Sequence, residues 1–317
     1  MNPHRHLLNV RAPAMQGFTI VEVMIAMTIG LVLCLGFGAA LVDASSNART
    51  NDRTSDIQTN GRAALEALRR DVMHAGYRSL TWAEPNATSI GTVTGDCAAG
   101  FTANLRQGIW GANDSNPFSA TCILSANYGG GDILVIRRVA LAPATALAAN
   151  TVYFRSAYER GELFLGNAPP TFTEVPNDDR AYEVIVYYIS PYSFSALESP
   201  RIPALYRVTL RPGPLIGTPE LVATGIDTLQ VQFGRLTTDG NTIYQNANAV
   251  SATATSVTTD PTEWDDVNSV RISILVRALT VEPGVVNTAT YTLGDQTITP
   301  NDQYRRMAFT TTAQLRN

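Results

Sequence analysis

The chain has 317 residues, 45% of them apolar and 16% charged, with a net charge of −4. That composition excludes a disordered chain and a basic nucleic-acid binder, and the length allows one sizeable head domain. All 23 basic residues are arginine, which removes Schiff-base and P-loop lysine chemistry. Of three histidines, His4 and His6 lie at the extreme N-terminus, so His74 alone cannot build a multi-histidine metal site or a triad with a spare.

Residues Met1 to Gly17 carry Arg5, Arg11, His4 and His6 but no acid. A positive flank of this kind stays cytoplasmic, which directs the C-terminal bulk to the other side of a membrane. Next, Gly17-Phe18-Thr19-Ile20-Val21-Glu22 sets one carboxylate in front of Val23 to Val42, twenty residues without a charge. At about 1.5 Å per helical residue that run crosses a hydrocarbon core. An ionised acid in lipid costs about 2.5–3.5 kcal/mol at mid-depth and less near an end, so Glu22 asks for a partner. A cut after Gly17 would place a new α-amino group on Phe18 one helical turn away; a neighbouring subunit could offer the same amine in trans and so fix the axial register. Two other readings compete: a general signal peptide cut near Val42-Asp43-Ala44, and an uncleaved anchor. The apolar run exceeds the roughly 7–15 residues of a signal peptide.

No proline stands between Pro13 and Pro85, so a helix of 58 residues can run from Phe18 to Ala75. Ser45 to Thr59 is polar, whereas Leu65, Leu68, Val72 and Ala75 repeat at steps of three and four, predicting an amphipathic second half. Gly76 before Tyr77 reads as the stop. Gly30, Gly36, Gly38 and Gly61 each weaken the helix by up to about 1 kcal/mol relative to alanine. His74 reads as a solvated or capping residue near the helix end. Cys97 and Cys122 can close a loop in an oxidising compartment, contributing about 3 kcal/mol, while Cys34 reads as a small buried hydrophobe.

The remainder is strand-like. Val270 to Arg277 alternates, placing Val270, Ile272, Ile274 and Val276 on one face and both arginines on the other. Further strands are expected at Ile133 to Val139, Tyr182 to Ile189, Leu205 to Leu210, Leu229 to Phe233 and Met307 to Leu315. The expected class is α+β: a long N-terminal helix, half transmembrane and half amphipathic, packed on a β-rich antiparallel head arranged as a meander. Asn246 to Thr262 and Leu141 to Asn150 read as loops. Gly129-Gly130-Gly131-Asp132 reads as a turn, Asp178-Asp179-Arg180 as a polar turn before a strand, and Glu263, Asp265 and Asp266 as surface charge before any calcium site.

Gly17, Phe18, Thr19 and Glu22, after a basic leader and before an apolar helix, resemble the class III signal of type IV pilins and pseudopilins. Leu68 to Tyr77, Val270 to Arg277, and Tyr304 to Phe309 with Leu315-Arg316-Asn317 look like PilW-type minor pilins; the J-type pseudopilins of type II secretion share that architecture. The resemblance implies a leader at 1–17 removed by a prepilin peptidase, N-methylation of Phe18, and an assembly role for Glu22 and Thr19. It also implies a transmembrane and assembly helix at 18–43, a stalk helix at 44–77, and a periplasmic head at 78–317. Loss of Arg5 and Arg11 takes the net charge from −4 to −6. The implied role is that of a non-enzymatic minor pilin, without cofactor or metal, that primes pilus assembly near the tip. Its partners would be other minor pilins, the major pilin and an inner-membrane assembly platform. A secretion pseudopilin or a signal-bearing periplasmic binding or enzymatic domain are the alternatives.

Overall fold

The computed structural model describes residues 17–83, 97, 107–210, 217–237, 239–250 and 263–316. The leader ahead of Gly17 and most of the loop expected between Asn246 and Thr262 lie outside them. One helix, α1, runs from Ile20 to Met73. Two compact units divide the chain, Met1–Asp52 and Arg53–Asn317, and each is taken by itself.

In the first unit the helix is bare. Apart from Gly30, every residue from Ile20 to Arg49 is exposed. The second unit starts with the rest of α1, whose Ile57, Gly61, Ala64, Leu68 and Val72 are buried. Those steps of four, three, four and four are the one-sided stripe of a surface helix. The stripe begins earlier than expected, with Ile57 inside the stretch read as polar. Helix geometry stops at Met73, two residues before the predicted end. His74 and Ala75 close i−3 bonds to Asp71 and Val72, and Gly76 takes φ 76°. That left-handed residue is what glycine allows at a helix end. Its backbone also passes so close to Gly108 that a Cβ on Gly108 would stand 2.5 Å from the Gly76 Cα.

The head is antiparallel throughout its described pairs. In chain order the strands are β1 Ile109–Ala112, β2 Ile133–Val139, β3 Val152–Ala157, β4 Arg160–Leu165, β5 Asp178–Ser190, β6 Ala204–Leu210 and β7 Glu220–Thr224. They are followed by β8 Ile226–Leu236, β9 Thr242–Asn246, β10 Val267–Arg277, β11 Tyr291–Leu293, β12 Gln296–Ile298 and β13 Arg306–Gln314. One sheet runs β1-β2-β5-β3-β4, with β6 on β5 and β7 on β6; a second runs β13-β10-β8-β9; β11 and β12 form a hairpin. This is not the simple meander expected. The long β5 pairs β2 through Tyr182–Tyr187, β3 through Asp178–Ala181 and β6 through Val184–Ser190.

The strand at Val270 matches its pattern. Val270, Ile272, Ile274 and Val276 are buried, with Arg271 and Arg277 less so. Leu275 is buried as well, next to a register shift against β8. The second sheet covers the stalk stripe through β13: a Cβ on Gly61 would lie 2.8 Å from the Phe309 ring. Aromatic packing of Trp264 on Phe233 (4.8 Å) and on Trp110 (6.2 Å) joins β1 to β8.

Candidate functional site

At the start of α1, local sequence builds its own cap. Thr19 precedes the first helical residue, and its Oγ1 accepts from the Glu22 N–H at 3.2 Å. Glu22 Oε2 in turn accepts from the Thr19 N–H and from the Thr19 hydroxyl, both at 2.9 Å. This is a reciprocal capping box, the Thr-x-x-Glu arrangement that satisfies two orphan donors of the first turn. An ionic partner is thus not the first partner Glu22 has; the spacing of Thr19-Ile20-Val21-Glu22 supplies a hydrogen-bonded one from its own turn. Hydrogen bonds orient the carboxylate without cancelling its charge, so an added ammonium group would still gain by approaching it.

Around the cap the surface is apolar and uncovered. Phe18 is 87% exposed, and Ile20, Val21, Met24, Ile25 and Ile29 are also exposed. By length and composition α1 can cross a membrane, its most apolar stretch having a mean hydropathy of 2.4 with none of it buried. Thr28 turns its hydroxyl back onto the carbonyls of Met24 (3.1 Å) and Ile25 (2.9 Å), so this donor is paired within the helix itself. Cys34 is exposed on this segment, not buried as read from the sequence.

The stalk end carries a second polar site. Asp71 is 4% exposed and faces the first sheet. Its carboxylate accepts from the Tyr187 hydroxyl at 2.5 Å and lies 3.1 Å from Arg138 Nη1 and 3.4 Å from Arg207 Nη1. Burial, then the adjacent Asp71 charge, push the Tyr187 phenol well above its ordinary range. Arg138 and Arg207 reach on to Glu183 (3.6 Å) and Glu220 (2.6 Å). A cavity of about 410 Å³ is lined by these two arginines and two glutamates. Their charges are committed to one another and to Asp71, so the arrangement clamps helix to sheet.

Other expectations resolve locally. His74 Nδ1 lies 2.8 Å from the Arg70 carbonyl, a capping contact. Cys97 and Cys122 are joined by a disulfide, with Cα atoms 5.2 Å apart. The Gly129–Gly131 run is a turn before β2, with Gly130 and Gly131 at positive φ. Asp132 after it is 2% exposed and holds two loops together, accepting from the Asp114 N–H at 3.0 Å and the Val231 N–H at 2.7 Å. Burial raises its carboxyl to about 7 against the pull of those two donors. Asp178, Asp179 and Arg180 are not a turn but the start of β5. Arg155 grips Asp179 in a two-pronged pair at 2.6 and 2.7 Å, while Ser156 and Arg180 bond Asp178 at 2.6 and 2.7 Å. Glu263 pairs with Arg235 at 2.6 Å, and Trp264 beside it is core.

Two family models match the chain, at opposite ends. One is the prokaryotic N-terminal methylation motif, over residues 13–38; the other is the type IV pilus-assembly protein W family, PilW, over residues 186–317. Both agree with the resemblance drawn from the sequence. No curated protein matches the chain significantly. Among solved structures, a type IV-like pilin, TTHA1219 from Thermus thermophilus, aligns over 84% of this chain and 97% of its own at 12% identity, with a TM-score of 0.34.

Proposed function

We propose, from the premise that this chain is a type IV pilin carrying a PilW region, that it is a minor subunit which primes pilus assembly near the tip. A prepilin peptidase cuts between Gly17 and Phe18 and methylates the new Phe18 amine. Until assembly the subunit stays in the inner membrane by a single pass with its head in the periplasm. It then enters the filament beside other minor pilins and the major pilin, drawn out by the assembly platform. Its work is structural and non-enzymatic. The observation that carries this reading is the uncovered apolar segment headed by a carboxylate that Thr19 holds in place.

Lipid extraction exposes about twenty apolar side chains, and packing among neighbouring helices must replace that burial. Met24, Ile25, Ile29, Val32 and Leu33 supply part of the packing surface. Glu22, already oriented by its capping box, then meets the Phe18 ammonium of an adjacent subunit, and this pairing selects the axial register.

The test is mass spectrometry of the mature N-terminus combined with pilus counts. Glu22→Ala is expected to be cleaved normally but poorly incorporated, whereas Gly17→Glu is expected to remain uncleaved. Normal piliation in the Glu22→Ala strain, or a mature N-terminus other than methylated Phe18, overturns the reading. Unchanged piliation with lost exoprotein release on gene deletion would reassign the chain to secretion.

A further inference from the structure

The hairpin of β11 and β12 stands apart from both sheets, its two strands pairing only with each other among the described strands. A lone two-stranded hairpin is marginally stable in water, so its position depends on what fastens it. At its base Asn287 bridges to Asp302, and the Asn287 side chain donates to the Tyr304 carbonyl at 3.0 Å. At its tip Leu293 is buried, and a Cβ on Gly294 would lie 3.0 Å from Gln230 Oε1 of β8. Two side-chain bonds hold that tip to the turn after β1. Gln296 Nε2 donates to Asp114 Oδ1 at 2.6 Å, and Asn113 Nδ2 donates to Asp295 Oδ2 at 3.0 Å.

Those bonds gather three carboxylates. Gln230 Nε2 donates to Asp114 Oδ1 at 2.8 Å and reaches Asp132 Oδ1 at 3.5 Å, so two acids share one amide. Asp132 is the buried member, fixed by the Asp114 and Val231 N–H groups, whereas Asp295 arrives with the hairpin. All of these donors are amides, which orient a carboxylate and leave its charge in place. The charges that act on Asp132 are those of Asp114 and Asp295, and both repel its ionised form. Tyr128, on the turn before β2, adds no charge of its own: burial, then Asp114 and Asp132, push its phenol well above the ordinary range. Like charges crowded into a buried site cannot all ionise, and the deepest one keeps its proton longest. Burial, joined by its two acidic neighbours, accordingly pushes the Asp132 carboxyl up to about 7.

We infer that the β11–β12 hairpin is a proton-controlled flap, its tip docked while Asp132 carries a proton and released when Asp132 ionises against Asp114 and Asp295. The coupling is reciprocal. Docking brings the Asp295 charge to Asp132 and so favours the protonated form; a proton on Asp132 therefore favours docking by the same factor. Release removes that repulsion and lowers the Asp132 value from its docked position. Docking is thus strongest at acid pH, below the released value, and weakens as pH rises through the docked value of about 7. Opening frees Leu293 from its buried position and uncovers Gln230 beneath the tip.

The experiment is hydrogen–deuterium exchange on the full chain in detergent micelles, read over residues 290–299 from about pH 5 to pH 8, with labelling times scaled to the intrinsic rate at each pH. Hairpin protection is expected to fall as pH rises, by about tenfold for each pKa unit that docking adds to Asp132, while β8 and β10 stay equally protected. Asp114→Asn with Asp295→Asn removes both repelling charges yet keeps an oxygen for Gln230, Gln296 and Asn113, and asparagine suits the φ of 45° at Asp114. This double variant should hold at the alkaline end the protection that the parent shows at the acid end. Parent protection that does not change with pH overturns the flap, as does a double variant that loses protection over the same range as the parent. Loss shared by β8 and β10 overturns it too, since the whole head would then be responding. So does hairpin protection restored at the alkaline end by added calcium, for the three acids would then be holding a cation in place of a proton.

Discussion

The two halves of α1 share one secondary structure but differ in what surrounds them. From Ile20 to Arg49 almost every residue is exposed, whereas from Ile57 onward a single stripe is buried against sheet. Glycine shows the contrast most directly. A Cβ on Gly30, Gly36 or Gly38 would meet nothing within 4 Å, while one on Gly61 would strike the Phe309 ring. A helix apolar all round needs an apolar medium; a helix apolar on one side needs one neighbour. The first half is therefore completed by something outside the chain, and the second is complete within it.

Asp71→Ala is expected to disturb that completed half most. It removes the carboxylate that faces Tyr187, Arg138 and Arg207, leaving Arg138 only its 3.6 Å contact with Glu183. Breaking a buried pair by deleting one partner costs about 3–5 kcal/mol. Arg207 is a third exposed, so its share is screened and the lower figure applies. A loss of about 3 kcal/mol lowers the head's Tm by roughly 6–12 °C at this size. Arg70→Ala, which removes only an exposed contact at 3.9 Å to Glu66, should leave Tm nearly unchanged. Equal shifts in the two variants, read by calorimetry, would mean that Asp71 does not clamp the helix.

A smaller effect separates the glycines. Gly61→Ala gains up to about 1 kcal/mol of helix propensity but forces the Phe309 ring to move, an overpacking cost of about 1–3 kcal/mol. Net loss of head stability is expected, with recovery in the double variant Gly61→Ala, Phe309→Leu. Gly30→Ala has no such neighbour and should leave the head's unfolding curve unchanged. If it nevertheless reduces pilus number, the close approach that needs glycine there is made by another subunit.

How much of this was legible follows from the range of each interaction. The strand at Val270 and the stripe at Leu65 to Val72 were readable because one-sided burial writes its period into neighbouring residues. Strands β3 and β4 do not stand out in the sequence, since Arg155 and Arg160 interrupt short apolar runs; Arg155 is paired by Asp179 of β5, whereas Arg160 is paired by Glu162 two residues along β4 and stacks on the Phe172 ring. Asp178 and Asp179 looked like turn residues because acids disfavour strands; Arg155 and Ser156 across β3 supply what local sequence could not reveal. Asp71 and Asp132 had no local mark at all, for a buried acid and a surface acid are the same letter. The capping box at Thr19 is the opposite case: its Thr-x-x-Glu spacing is fully local, and a search for a charge partner of Glu22 alone does not reveal it.

The least perturbing change bears on the uncovered half. Thr19→Val deletes the hydroxyl that both accepts from the Glu22 N–H and donates to its carboxylate, leaving only the Thr19 N–H on Glu22. Loss of such a cap costs about 1 kcal/mol, and only in the first turn. Faster amide exchange near Ile20 to Val23 in lipid is expected, with no change in the head's Tm; Thr19→Ser should exchange like the parent. Pilus counts then separate orientation from charge. Poor assembly in Thr19→Val, with processing intact, would show that the carboxylate must be aimed as well as present. Normal assembly there beside failure of Glu22→Ala would mean that charge suffices, and that the capping box serves the helix alone.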